Sequence, residues 1–236
     1  MQISKARISS AMRRIIWQVD IPFSHSDPFS VHVDLGAGNN PRNPFCAAKL
    51  IATDFHESFT RHDGVEFMKC DLTQDLPFET NSIDSFSAFD VLEHIPRWER
   101  TENGIEFPFI NLMNEIHRCL KPGGLFIALT PAFPSEAAFQ DPTHVNVISR
   151  ATIRYFAGEE PWAKLLGYGF DQGFTVVTQT WQRGAGPLSD TSLLLKFKSA
   201  DWPSRIKIFL KLSKRILKLS RVQKPTHLLW VLSKAD

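Results

Sequence analysis

The sequence contains few cysteines and no long apolar segment. Its three cysteines are scattered and odd in number, so they predict neither a disulfide framework nor a zinc-binding knuckle. No apolar run reaches the roughly 20 residues that a membrane-spanning helix needs. The apolar stretch after Arg13 and Arg14 is too short for the core of a signal peptide. We therefore expect a cytoplasmic protein.

A strong excess of charge of either sign is also absent. The formal net charge is only +2, which is not typical of a chain that binds nucleic acid over its whole surface. Hydrophobic residues make up 43% of the 236 residues, which is enough for a sizeable core. We therefore expect one large domain over residues 1–236.

A predicted strand followed by a glycine turn organises the chain. Val31 to Leu35 form the strand, and Gly36 and Gly38 come directly after it. Glycine brings backbone close to a ligand, and ligands of open α/β sheets bind beyond the carboxyl ends of the strands. Pro41 stands where a dinucleotide fingerprint has its third glycine, and the Gly-Lys-Ser/Thr of a phosphate-binding loop is absent. Asp34 would repel a pyrophosphate, so it indicates a cationic or hydroxyl-bearing ligand.

The second predicted strand also ends at an acid. Lys49 to Thr53 form this strand, and Asp54 follows it. An acid about 20 residues after a glycine turn, at the tip of the second strand, is placed to accept hydrogen bonds from ribose hydroxyls. Asp54 therefore indicates a ligand that carries a ribose.

Four further motifs follow in a fixed order, and each of them alone would be weak. They are Cys70-Asp71-Leu72-Thr73, Ser82-Ile83-Asp84, Val91-Leu92-Glu93-His94-Ile95 and Leu120-Lys121-Pro122-Gly123-Gly124-Leu125. Together with the glycine turn, the set resembles the class I S-adenosylmethionine-dependent methyltransferases of the small "Leu-Glu-His" type, over residues 31 to 135. The resemblance implies methyl transfer as the activity and S-adenosylmethionine as the cofactor.

The resemblance also implies a role for each matching residue. Asp34 should lie near the positively charged methionyl end of the cofactor, Asp54 should accept the ribose hydroxyls, and Asp71 should accept the adenine amino group. Asn40 departs from the family's third glycine, although asparagine adopts left-handed backbone more readily than most residues. The implied cofactor-binding residues are Asp34, Gly36, Gly38, Asp54, Asp71, Leu72, Phe89 and Asp90.

Two histidines and one acid are the catalytic candidates, because imidazole titrates near neutral pH and can deprotonate an acceptor. His94 follows the fourth strand, where the resembled family has a pair that is structural or lines the substrate mouth. His144 and Asp141 share the loop 138–146, which should face the active site across the cofactor. Hydrogen bonds between these two side chains could instead hold the loop together. Asp141 and His144 are too few ligands to predict a metal site.

The alternation of strand and helix patterns predicts an α/β fold. We expect a Rossmann-like, seven-stranded, mostly parallel sheet with helices on both faces and the last strand antiparallel, as the resemblance implies. A short helix is predicted over 44–49 and a longer one over 105–120. Residues 192–198 are a rival for the last strand. The predicted strands are 31–35, 49–53, 65–69, 83–89, 125–130, 174–181 and 227–233.

Two amphipathic segments flank these strands. Residues 1–20 carry apolar side chains at helical spacing, which predicts an N-terminal helix that covers the cofactor or packs on the sheet edge. Residues 201–222 place lysines and arginines opposite a broad apolar arc and predict a helical insertion before the last strand. This helix either packs on the domain or, in a peripheral contact, lies on the inner membrane surface.

The acceptor is the open part of the functional hypothesis. The Asp141-Pro142-Thr143-His144 loop resembles that of methyltransferases linked to bacterial polysaccharide and sugar modification, so we expect an oxygen or nitrogen of a small molecule or glycan. One alternative is a lipid or quinone reached through 202–221, and another is a non-catalytic binding module. Nucleic acid is not expected, because the Asn-Pro-Pro-aromatic motif that cradles a flipped base is absent.

Overall fold

The structure is a computed structural model. The chain divides into two compact units, and the described residues, apart from Pro225, fall in the unit formed by 24–184 and 226–236. The predicted N-terminal helix, the rival strand 192–198 and the predicted basic helix lie outside the described residues. The structure describes residues 30–56, 62–102, 104–182 and 225–235.

The described strands are named in chain order, and seven of them form one sheet. Their bounds are β1 (Val31–Leu35), β2 (Lys49–Asp54), β3 (Val65–Lys69), β4 (Ile83–Phe89), β5 (Glu99–Thr101), β6 (Gly104–Glu106), β7 (Leu120–Pro131), β8 (Phe174–Gln182) and β9 (His227–Lys234).

The strand order in the main sheet is β3-β2-β1-β4-β7-β9-β8. Strands β1, β2, β3, β4 and β7 pair in parallel, whereas β9 is antiparallel to both of its neighbours, β7 and β8. This confirms the predicted α/β fold, a Rossmann-like, mostly parallel seven-stranded sheet with helices and an antiparallel last strand. The antiparallel pair β5–β6, which follows β4, was not predicted.

Helix α1 (Pro108–Cys119) connects this pair to β7. Pro108 stands in the first turn, where a missing N–H costs no helical hydrogen bond. The helix ends at Cys119, and β7 begins at the next residue. A second, short helix, α2 (Trp162–Leu165), precedes β8. The face that α1 buries is mostly apolar and includes, at helical spacing, Phe109, Leu112, Met113 and Ile116.

The core lies on the central strands of the sheet. Phe86 on β4 stands directly opposite Phe126 on β7, and both side chains are fully buried. Trp230 on β9 is fully buried as well. The neighbouring β9 is therefore a central strand, although it comes last in the sequence.

The connection between β1 and β2 contradicts one prediction, because residues 44–49 form no helix. Pro41 and Pro44 lack N–H groups and disfavour a helix there. The Asn43 side chain closes the loop instead: it accepts a hydrogen bond from the Ala47 N–H and donates one to the Ala47 carbonyl, both at 2.9 Å.

Among the described residues, no helix is both long and apolar enough to span a membrane.

His117, near the end of α1, is an ionisable group inside the core. Its ring packs against Phe174, with 4.9 Å between ring centroids, and against Phe170. Burial, together with the nearby charge of Lys234, lowers the pKa of His117 to about 4. The Lys234 ammonium donates hydrogen bonds to the carbonyls of His117 and Leu120. The end of α1 is therefore tied to the last strand by a cation.

We predict that protonation of His117 destabilises the fold in mild acid. Between the ordinary histidine pKa of 6.5 and the folded-state pKa of about 4, the unfolded chain binds a proton that the folded chain does not, so stability falls as the pH falls. Relative to His117→Gln, the wild type should lose about 2 kcal/mol from pH 7 to pH 5, and the comparison cancels the opposite contributions of Asp34 and Glu93, whose pKa values are raised to about 7 in both proteins. Urea unfolding of wild type and His117→Gln at both pH values measures it. Equal losses in the two proteins would contradict the prediction.

Candidate functional site

The carboxyl ends of the parallel strands meet at one edge of the sheet. Because β9 is antiparallel, its first residue, His227, lies at the same edge, opposite Pro131. Nearly all of the predicted site residues stand at this edge, at strand ends or in the loops that follow. The strand ends are Leu35 of β1, Asp54 of β2, Phe89 of β4 and Pro131 of β7.

The glycine turn after β1 has two different glycines. Gly36 has a φ of +60°, and a Cβ added there would lie 2.5 Å from Cγ2 of Val91. Gly38 has a φ of +53°, and an added Cβ would meet no atom within 4 Å. Gly36 is therefore required by packing, whereas Gly38 borders open space in which a ligand could approach the backbone.

Asp34 is almost fully buried, and both of its carboxylate oxygens are engaged. One accepts a hydrogen bond from the Ser87 hydroxyl at 2.5 Å, and the other accepts one from the Arg42 backbone N–H at 2.8 Å. Burial raises the pKa of Asp34 to about 7, although both partners act in the opposite direction. The carboxylate thus fixes the loop after the glycine turn.

A row of polar side chains runs beneath this loop on β1 and β4. The two ring nitrogens of His32 contact the hydroxyls of Ser85 and Ser87, each at 2.8 Å. Because Ser87 also binds Asp34, the row connects the interior of the sheet with the strand ends. These four side chains are all fully or almost fully buried.

Arg42 is a site residue that the sequence analysis missed. Its guanidinium lies 4.6 Å from the centre of the Phe89 ring, and Nη1 approaches the Phe89 carbonyl at 3.3 Å. Its Nε is buried and has no hydrogen-bond partner among the described residues. Its position in the loop after β1, eight residues after Asp34, was the sequence signal that could have identified it. The group can donate a hydrogen bond to an anionic ligand group.

Asp54 and Asp71 stand after neighbouring strands. The two carboxylate oxygens of Asp54 accept hydrogen bonds from the N–H groups of Gly38, at 2.9 Å, and His56, at 3.0 Å. Both atoms retain a lone pair for a ligand hydroxyl. One oxygen of Asp71 accepts from the N–H and hydroxyl of Thr73, which leaves the other oxygen, Oδ2, without a partner in the described part of the chain. Leu72, beside it, is buried.

Asp90 follows β4 in an unusual backbone conformation. Its φ is +57°, a region that few residues other than glycine adopt. Its Oδ1 atom is buried and lies 3.1 Å from Nε2 of His227, but the approach lacks the geometry of a hydrogen bond. His227, which the sequence analysis did not select, is thus an ionisable neighbour of Asp90. Backbone strain of this kind is often found at ligand sites.

Glu93 is a second buried acid, with 1% of its surface exposed. Its Oε2 accepts a hydrogen bond from the Thr130 hydroxyl at 2.9 Å, and its Oε1 is buried without a hydrogen-bond partner among the described residues. Burial raises the pKa of Glu93 to about 7. The His144 Nε2 atom lies 4.0 Å from Oε1 and is the nearest group that could carry positive charge.

The structure brings His94 and His144 together, with ring centroids 4.9 Å apart. Asp141 does not bond to the His144 side chain. Its Oδ1 accepts from the N–H and hydroxyl of Thr143, and these bonds lower the pKa of Asp141. The Thr143 hydroxyl in turn contacts Nδ1 of His94 at 3.0 Å. Asp141 thus positions His94 through Thr143.

Backbone hydrogen bonds fasten the loop that carries His144. The Glu93 carbonyl accepts from the N–H groups of Val145 and Asn146, both at 2.9 Å. The buried Asn146 side chain donates to the Leu92 carbonyl at 3.0 Å and accepts from Arg97 Nε at 2.7 Å. These backbone bonds and the Asn146 side chain, rather than the imidazole rings of His94 and His144, therefore hold His144 near Glu93.

Residues 33–128 match the protein family described as a methyltransferase domain. The matched part contains the glycine turn, every predicted cofactor-binding residue and the Glu93–His94 pair. No curated protein sequence gives a significant match to this chain.

Solved structures share the fold at low sequence identity. An S-adenosylmethionine-dependent methyltransferase from Archaeoglobus fulgidus is 16% identical, with a TM-score of 0.53 over 98% of this chain and 95% of that one. A candidate methyltransferase from Bacillus halodurans is 16% identical, with a TM-score of 0.52 over 90% of this chain and 96% of that one. The 4+2 cyclase SpnF is 12% identical, with a TM-score of 0.50 over 99% of this chain and 83% of that one.

The domain match and the fold imply S-adenosylmethionine as the cofactor. The residues at the strand ends fit its parts. Open space at Gly38 admits a ligand against the backbone, and Asp54 and the free oxygen of Asp71 are acceptors for hydroxyl and amino groups. Arg42 Nε and Asp90 Oδ1, both buried and without a hydrogen bond in the described part of the chain, are a donor and an acceptor that suit the amino-acid end.

The two glycines should respond differently to alanine. Gly36→Ala must shift Val91 in addition to adopting a positive φ, whereas Gly38→Ala carries only the backbone strain. We expect Gly36→Ala to lower the free energy of unfolding by at least about 1 kcal/mol more than Gly38→Ala. Urea denaturation of both variants measures the difference. Equal destabilisation would show that Val91 does not constrain the turn.

Proposed function

We propose that this chain is an S-adenosylmethionine-dependent methyltransferase that acts on an oxygen or nitrogen of a small molecule or glycan. One observation carries the proposal: the Gly38 backbone and the acids Asp54 and Asp71 converge at the carboxyl edge of a sheet with methyltransferase topology. The domain match over 33–128 supports the same activity.

The cofactor's nucleoside would be bound by groups after β2 and β3. Asp54 accepts the ribose hydroxyls with the lone pairs that Gly38 and His56 leave free. Asp71 accepts the adenine amino group at Oδ2, with Leu72 against the ring. Charge-assisted hydrogen bonds of this kind are stronger than neutral ones.

The amino-acid end would lie between β1 and β4. Arg42 donates from Nε to the cofactor carboxylate, and Asp90 accepts from its ammonium group at Oδ1. Phe89 lines this side, and Asp34 keeps Arg42 in place through the backbone of the loop. When bound, S-adenosylmethionine supplies a methyl group whose bond to sulfur breaks, with the electron pair going to sulfur, as the bond to the acceptor forms.

The acceptor would be activated beside His94 and His144. In the proposed reaction Nε2 of His144 removes the acceptor's proton, and the unpartnered Oε1 of Glu93, 4.0 Å away, stabilises the resulting imidazolium. His94 and Asp141 complete this side of the site, with Asp141 acting through Thr143.

The loop after β7 supports a flat or ring-shaped acceptor. It exposes Phe133, Phe139 and Val145 while the residues around His144 are fastened to Glu93. Exposed aromatic rings can pack on the faces of sugars and other rings. These rings suit a small molecule or glycan, and nucleic acid is disfavoured on a separate ground, the absence of the Asn-Pro-Pro-aromatic motif. A lipid acceptor would depend on 202–221, which lie outside the described residues.

Binding of S-adenosylhomocysteine to the purified chain tests the proposal. We expect a micromolar dissociation constant in calorimetry that Asp54→Ala raises tenfold or more, which corresponds to about 1.4 kcal/mol. The cause is the loss of the charged acceptor for the ribose hydroxyls.

Asp63→Ala is the matched control, because this exposed acid lies at the amino end of β3, at the opposite edge of the sheet. This variant should bind S-adenosylhomocysteine with the same dissociation constant as wild type. The absence of any binding by the wild-type protein would remove the methyltransferase proposal and leave a non-catalytic module, and the cyclase SpnF shows that this fold also carries other chemistry.

Cofactor affinity should rise with pH through about 7, where Asp34 ionises. The ionised carboxylate holds the Arg42 backbone, whereas the protonated form, dominant below this pH, is a weaker acceptor. Ser87→Ala removes a bond that lowers the pKa of Asp34, so the midpoint should move to higher pH. Ser85→Ala alters the same row without touching Asp34, so it should move the midpoint less than Ser87→Ala does. Affinity that is flat from pH 6 to 8 would refute the dependence.

A further inference from the structure

Three potential metal ligands converge at the end of β4. They are Glu93, His94 and His144, and one ligand atom of each lies within 4.8 Å of the others. The three residues come from two separate segments, which the backbone bonds of Val145 and Asn146 to Glu93 hold together. The backbones of the cluster are therefore fastened together, and its side chains are the buried Glu93, the partly buried His144 and the exposed His94.

The hydrogen bonds of both imidazoles leave the same ring nitrogen free. The Thr143 hydroxyl donates its hydrogen bond to Asp141, so the same oxygen accepts a hydrogen bond from Nδ1–H of His94. Nδ1 of His144 donates to the Ala138 carbonyl at 3.3 Å. In both neutral rings the lone pair is then on Nε2, which is how a second hydrogen-bond partner orients a metal-binding histidine.

Glu93 supplies the observation that points to a cation. Its side chain is 1% exposed, Oε2 is occupied by Thr130, and Oε1 is buried with no hydrogen-bond partner in the described part of the chain. Burying a carboxylate oxygen without a partner is costly, and such groups are usually paired or coordinate metals. Oε1 lies 4.0 Å from Nε2 of His144, too far for a hydrogen bond.

We propose that Glu93 Oε1, His94 Nε2 and His144 Nε2 bind one divalent transition-metal ion. Two ligands of a tetrahedral zinc ion lie about 3.4 Å apart, so small side-chain rotations would bring these atoms into its coordination sphere. Two imidazoles and one carboxylate suit zinc, manganese, iron or cobalt, whereas magnesium prefers oxygen ligands only.

The role of this metal site depends on the proposed function. Three protein ligands leave at least one coordination position open, beside the loop to which we assign the acceptor. An acceptor hydroxyl bound there would have a lowered pKa and would release its proton to solvent, which leaves an oxygen that can form the bond to the methyl group. His144 would then be a ligand, and the metal would replace it as the activating group.

The test measures metal binding directly. Full-length protein is stripped with a chelator, dialysed and titrated with Zn²⁺, Mn²⁺ or Mg²⁺ by calorimetry, with elemental analysis of the bound metal. We expect one Zn²⁺ per chain, no stoichiometric Mg²⁺, and a higher melting temperature with Zn²⁺. Glu93→Gln, which keeps an acceptor for Thr130, and His144→Gln should each weaken Zn²⁺ binding tenfold or more.

Two control variants remove other groups that bind zinc. His62→Gln and Cys46→Ser alter an exposed histidine and an exposed cysteine, and both should bind Zn²⁺ like wild type. Glu93→Gln could alter folding, so its melting temperature without metal is measured first. A stable variant that shows no Zn²⁺-dependent shift supports the site. Absence of stoichiometric binding by wild type, or undiminished binding by both site variants, would overturn it.

The same samples are titrated with S-adenosylhomocysteine to separate the two proposals. Nucleoside binding without Zn²⁺ binding would overturn the metal site and leave the methyltransferase proposal standing. Zn²⁺ binding that depends on Glu93 and His144, without binding of S-adenosylhomocysteine, would overturn the methyltransferase proposal and leave the metal site standing.

Discussion

The two hydrogen bonds that the Glu93 carbonyl accepts from Val145 and Asn146 join the halves of the candidate site. One half, at the ends of β1 to β4, has the features of a nucleoside-binding surface. The other is a loop more than 40 residues further along the chain, whose position the strand pairing does not determine. These bonds and the side-chain bonds of Asn146, together with the bridge between Ala132 and Ile148, fix the position of His144 relative to the strand ends. The distance between cofactor and acceptor groups therefore depends on them.

Much of the fold could be predicted from local sequence, because β1 to β4 are short segments with apolar residues, and each ends at an acid or is followed by an acid or glycine within two residues. The last strand, His227–Lys234, was also predicted, since seven of its eight residues lie in the predicted segment 227–233. The helix over 44–49 was wrong because the connection between β1 and β2 was expected to be helical, whereas the side-chain bonds that Asn43 makes to Ala47 close it as a loop. The pair β5–β6 has only three residues in each strand, too few to show a pattern.

The site was predictable where a residue's role follows from its place at a strand end, as for Asp54 and Asp71. It was not predictable where the role depends on contacts distant in sequence. Glu93 was read as part of a motif, and only the fold shows that its Oε1 is buried and faces His144. The expectation of no metal site counted Asp141 and His144, which are close in sequence, whereas the structure groups His144 with Glu93 and His94 from the end of β4.

The hydrogen bonds in the buried row of polar side chains on β1 and β4 all run in one direction, toward Asp34. Ser87 donates to Asp34, so it receives its own hydrogen bond from Nε2 of His32, and a neutral His32 then accepts from Ser85 at Nδ1. When Asp34 is protonated, its O–H can point back at Ser87, and each proton in the row can move to the opposite side. The tautomer of an imidazole inside the sheet would then report the charge at the cofactor end of β1. Imidazole nitrogen chemical shifts could observe that charge from within the core.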